Sequence, residues 1–102
     1  MKFVNHHRLD ILAAIELHQL LESDFDFMKR RGRIFTKHRE TGLEFAYLRK
    51  KETQLDSLTR EWVNTEWFKV KSGTNKEQIV QNWEQVMELF EQWLKQIRLL
   101  SK

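Results

Sequence analysis

Apolar positions recur along this chain with two different periods, and the changes of period divide it into elements. From Asn5 to about Glu22, Leu9, Leu12, Ala13, Ile15, Leu17, Leu20 and Leu21 cover a wide apolar arc, with Asp10, Glu16, His18 and Gln19 between them. That spacing predicts a helix, largely buried, with Asn5 as its N-cap. The period then drops to two. Phe25, Phe27, Lys29 and Arg31 share one parity and Asp26, Met28 and Arg30 the other, as on a strand. Gly32 permits a tight turn, and Arg33 to His38 alternates again around Ile34 and Phe35. Glu40-Thr41-Gly42 reads as a hairpin loop with glycine in the left-handed position, and Leu43, Phe45 and Tyr47 begin a third strand that ends at Arg49.

Lys51 to Thr65 is ambiguous, because Leu55, Leu58 and Trp62 have helical spacing and Asp56 or Ser57 suits a helix cap. Glu66 to Lys71 alternates once more, predicting a fourth strand before a turn at Ser72-Gly73-Thr74-Asn75. Thr74 and Glu77 have the spacing of a capping box. From Ile79 through Val80, Trp83, Val86, Met87, Phe90, Trp93, Leu94, Ile97 and Leu100, apolar residues recur every three or four positions, predicting a long amphipathic helix. The expected fold is α+β in two layers, forming a single domain over 1–102. An N-terminal helix and a long C-terminal helix cover one face of a three- or four-stranded antiparallel sheet, over Phe25, Phe27, Phe35, Phe45, Tyr47 and Phe68.

Composition narrows the class. With 40% apolar and 32% charged residues in 102, the chain is too apolar for disorder and too charged to span a membrane. No signal-peptide pattern appears near Met1. Cysteine is absent, which fits a reducing compartment, the cytoplasm, and removes cysteine nucleophiles, iron–sulfur clusters and cysteine-based zinc sites. With no proline and three glycines, connections should be short.

Charge is unevenly placed. Residues 29–51 hold nine Lys or Arg against two Glu, whereas residues 1–28 hold two against five Asp or Glu. The basic stretch (Lys29, Arg31, Arg33, Lys37, Arg39 and Arg49 foremost) reads as a surface for phosphates or for an acidic protein, or as a solvated rim. The aromatics nearby share the parity of the expected core face, which speaks against base stacking.

No catalytic or metal-binding signature emerges, and no cofactor is expected. His6 and His7 are adjacent and diverge on a helix, while His18 and His38 lie in other elements. No serine has a triad context, no glycine-rich phosphate loop exists, and Glu84, Glu88 and Glu91 follow the outer face of the last helix. Metal-independent messenger-cleaving toxins share this size and basic balance, and Arg31, Arg33, Lys37, His38, Tyr47 and Arg49 would be the candidates. Those folds usually end on strands, however.

Of the four tryptophans, Trp83 and Trp93 fall on the final helix stripe and suit a core, whereas Trp67 has the parity opposite Phe68 and Val70. Trp67 beside Trp62 would form an interface anchor. The leading expectation is a non-catalytic module that binds a partner protein, or a second copy as a homodimer, through Trp62, Trp67 and the basic hairpin. Nucleic-acid binding through residues 29–51 stands second and the ribonuclease third.

Overall fold

The computed structural model describes residues 6–100, the side chain of His6 excepted, so the expected cap at Asn5 lies outside the described residues. A helix α1 (His6–Leu17) and a 3-10 turn (Glu22–Asp24) lead into five strands: β1 (Phe25–Arg30), β2 (Arg33–His38), β3 (Glu44–Leu55), β4 (Trp62–Ser72) and β5 (Gln78–Val80). Helix α2 (Trp83–Leu100) closes the order. The strands form one antiparallel meander, β1-β2-β3-β4-β5. Both helices pack on one face of it, giving the expected two-layer α+β architecture with one strand more than predicted.

The inward face follows from register. Phe25 pairs with His38, Thr36 with Phe45, Tyr47 with Val70 and Phe68 with Val80. These residues meet Ile11, Ala14 and Ile15 of α1 and Val86, Phe90, Trp93, Leu94 and Ile97 of α2 in one core. Ring contacts tie the layers together, with Phe45 and Phe90 centroids 5.0 Å apart and Phe25 and Trp93 5.9 Å apart. Phe35 is a correction. Its partners are Met28 and Ala46, so it lies on the opposite face from Phe25 and Phe45. In β2 the inward places fall to Ile34, Thr36 and His38, and buried His38 meets its polar requirement through Nδ1, 2.9 Å from Thr41 Oγ1.

Helix α1 stops five residues earlier than its apolar pattern suggests. Leu20 N–H donates to Ile15 O and Gln19 N–H to Glu16 O, with Gln19 at φ 60°. This is a Schellman stop with glutamine in the place usually held by glycine, so no sequence signal announced it. Leu20 packs back against the core, mimicking a further helical turn, while Leu9, Leu17 and Leu21 are exposed. The helix is therefore buried along one narrow stripe rather than largely buried.

Helix α2 starts later than predicted. Ile79 and Val80 belong to β5, and the cap is Asn82, whose Oδ1 accepts from Gln85 N–H at 2.9 Å. Gln85 reaches back to Gln81 N–H at 2.7 Å, so the reciprocal box sits eight residues beyond Thr74 and Glu77. Glu77 instead meets Arg33 at 3.3 Å.

The stretch 51–65 is strand, not helix. β3 and β4 pair continuously from Phe45↔Ser72 to Leu55↔Trp62. The tip closes through Asp56 N–H to Glu61 O and Arg60 N–H to Asp56 O, both 2.8 Å. Arg60 is left-handed at φ 57°. Asp56 Oδ1 accepts from Leu58 and Thr59 N–H groups, so the residue that suits a helix cap closes a turn instead. Leu55, Leu58 and Trp62 meet at the end of a hairpin instead of along one helix face.

Candidate functional site

Two surfaces of the sheet are left uncovered by the helices. The first is the distal half of β3 and β4. Beyond Tyr47 and Phe68, where Trp83 and His7 close the core by ring contacts (His7 stacks on Trp83 at 3.8 Å), the ribbon runs on past the ends of the other strands. Seven residues from Arg49 to Leu55 extend about 23 Å at strand rise, and the molecule measures 56 × 36 × 24 Å. Residues 51–55 and 57–66 are all exposed. Polar pairs hold the ribbon: Arg49 Nε donates to Glu66 at 2.7 Å and Thr53 Oγ1 to Asn64 at 2.8 Å. Its tip is apolar. Leu58 is 92% exposed and Trp62 69%, with Leu55 paired to Trp62 and exposed Val63 on the other side of the ribbon.

The second surface is the face of the sheet opposite the helices. Cross-strand register places its side chains in rows. Lys50 stands opposite Trp67. The next row runs Arg30, Arg33, Leu48, Lys69 and Ile79, and a third runs Met28, Phe35, Ala46 and Lys71. Lys37 lies in a fourth row with Asp26 and Glu44. Phe35, Leu48, Trp67, Lys69, Lys50 and Lys37 are half-buried. Six Lys or Arg thus share this face with Asp26, Glu44, Glu52 and Glu77. Arg39 grips Asp26 at 2.7 Å and, together with Lys37, holds its carboxyl below the usual range, while the Arg39 guanidinium is raised in turn. Arg33 of β2 pairs with Glu77, which precedes β5, at 3.3 Å.

The charge asymmetry belongs to the layers. Residues 25–82, the sheet and its connections, carry thirteen Lys or Arg against eight Asp or Glu, while residues 6–24 and 83–100 carry three against seven. The helical side is acidic and the sheet side basic.

The expected site residues are not gathered in one place. Trp67, Arg33 and Lys37 share the open face. Trp62 stands at the arm tip, on the side of the ribbon that faces the same way as the helices. Lys29 lines a half-open cleft of about 230 Å³ between α1 and the sheet, with Arg8, Phe27, Ile34 and Tyr47. Arg31 occupies the left-handed first position of the β1–β2 turn, followed by Gly32 at φ 79°. Arg39 and Arg49 are committed to Asp26 and Glu66. The ribonuclease candidates divide as well: His38 and Tyr47 are buried beneath the helices, on the other side of the sheet from Arg33 and Lys37. Burial pushes the Tyr47 phenol up to about 12, far from the pKa that proton transfer near neutrality requires. His18 pairs with Glu91 at 3.0 Å.

Among the described residues no three His, Asp or Glu side chains gather as a metal site, and no helix is long and apolar enough to cross a membrane. Sequence reasoning missed the apolar tip and the outward position of Phe35. Pairing Ile34 rather than Phe35 with Tyr47 was the one signal that could have revealed the latter, and it is a tertiary choice. No protein-family model, curated protein or solved structure matches this chain.

Proposed function

We propose that this chain is a non-catalytic interaction module that docks a partner protein through the β3–β4 arm, with Trp62 and Leu58 entering an apolar recess on the partner. The observation that carries the reading is the exposed tip of Leu55, Leu58, Trp62 and Val63 on a ribbon whose residues 51–55 and 57–66 bury no side chain. A two-stranded ribbon standing alone is marginal in water, and tryptophan is among the residues enriched at binding hot spots. Burying such a ring brings about 150–250 Å² of contact area into an interface at little conformational cost. The absence of cysteine supports action in a reducing compartment, the cytoplasm.

The test compares the intact chain with Trp62→Ala and Leu58→Ala, each immobilised in nuclease-treated extract of the organism that encodes it. A stoichiometric partner retained by the intact chain should fall at least tenfold with either substitution, because truncating a hot spot costs about 2 kcal/mol or more. Sedimentation of the purified chain decides whether that partner is a second copy. An identical set of retained proteins for all three chains, together with unchanged sedimentation, refutes the arm as the docking element.

A further inference from the structure

The geometry points to a second binding site on the open face of the sheet, one that takes single-stranded nucleic acid. Phe35 and Trp67 supply stacking platforms, and Lys50, Lys69, Lys71 and Arg30 contact phosphates. The rows on this face are about 6.6 Å apart along the strands, twice the rise per residue. A ring row (Lys50, Trp67) alternates with a cationic row (Arg30, Arg33, Lys69) and then a second ring row (Phe35, Lys71). A flexible polynucleotide laid along this path meets a flat ring and a cation by turns, the combination that binds single strands with little sequence preference.

Three features choose this occupant. The charge is complementary: six cations stand on the face, while the layer behind the sheet holds seven Asp or Glu against three Lys or Arg. Among the described residues Lys50, Lys69 and Arg30 form no ion pair, so their ammonium and guanidinium groups are not committed to carboxylates. Phe35 and Trp67 are half-buried on the sheet face, so they can receive an unstacked base but cannot reach one inside a duplex. An acidic peptide would satisfy the cations and leave both rings without a flat partner.

The probe is a fluorescein-labelled mixed-sequence 12-nucleotide single strand, as RNA and as DNA, followed by anisotropy between 50 and 200 mM salt. Duplex of the same sequence and polyglutamate of equal charge serve as competitors. Binding should weaken roughly 50-fold across that salt range for about four phosphate contacts, from the single-strand slope of about −0.7 per contact. Trp67→Leu keeps an apolar side chain and removes the stacking plane, and should weaken binding roughly 5- to 100-fold. Lys69→Glu should weaken it and flatten the salt slope. Circular dichroism and thermal melts establish that each variant is folded. The arm-tip variant Trp62→Ala should bind the strand as the intact chain does, which separates this site from the arm. No binding at 50 mM salt, salt-insensitive binding, equal competition by duplex or by polyglutamate, or indifference to Trp67→Leu each overturn the proposal.

Discussion

Removing the arm should leave the body standing. Consider a chain in which residues 52–65 are replaced by a four-residue turn joining Lys51 to Glu66. The deleted segment contains the pairs Glu52↔Thr65, Thr53↔Asn64, Gln54↔Val63 and Leu55↔Trp62, and no buried side chain. A two-stranded ribbon with no buried side chain is marginal in water, so the arm's own pairing adds little to the stability of the body. What reaches global stability is closure of the connection between β3 and β4. Shortening it from fourteen residues to four is worth (3/2)RT ln(14/4), about 1 kcal/mol in favour of the trimmed chain. Urea unfolding followed by far-ultraviolet circular dichroism should therefore show a stability equal to the intact chain or up to about 1 kcal/mol higher. The m-value should be unchanged, since it follows the area buried in the body. A loss above about 2 kcal/mol, or a clearly lower m-value, would mean that the arm is part of the cooperative core, and the case for it as a dedicated docking element would collapse.

Two further outcomes follow from the core. Phe68 is fully buried between Tyr47 and Trp83, so Phe68→Ala should destabilise the chain by about 3–5 kcal/mol in urea titration; a loss under 1 kcal/mol would contradict the packing described. Tyr47 is the only tyrosine, so its ionisation can be followed by absorbance without overlap. Burial raises its folded pKa to about 12 from an ordinary value of 10.0. The folded state therefore holds the proton more tightly, and the contribution is complete below pH 10 and lost as pH rises toward 12. A stability loss in that window that Tyr47→Phe leaves unchanged would show that another group is responsible.

Much of this architecture was legible because burial on one side imposes a period. The strands at Phe25, Phe45 and Phe68 alternate cleanly, and Val86, Phe90, Trp93, Leu94 and Ile97 mark one helical stripe, so the layers and their order could be read directly. Boundaries were harder where local chemistry was silent. Glutamine took the left-handed stop after α1, and the Asn82–Gln85 cap competed with an equally good pattern at Thr74 and Glu77. The paired apolar residues Ile34 and Phe35 offer two registers, and only pairing with β3 and β1 settles which ring turns outward. The same holds for the ribbon. Leu55, Leu58 and Trp62 suit a helix by spacing alone, and β3 and β4 pairing across the tip overrides that weak local preference.

The candidate surfaces divide in the same way. Basic excess in the sheet, absence of cysteine and an outward Trp67 are properties of composition and parity, so the chain alone determined them. Which cations stand together is different. Arg33, Lys37, Lys50, Lys69 and Lys71 come from three strands and become one face only when the meander closes, while Arg39 and Arg49 are withdrawn by carboxylates distant in sequence. Hydrophobic periodicity acts within a segment, whereas register and ion pairing act between segments, and the tertiary structure alone brings those together.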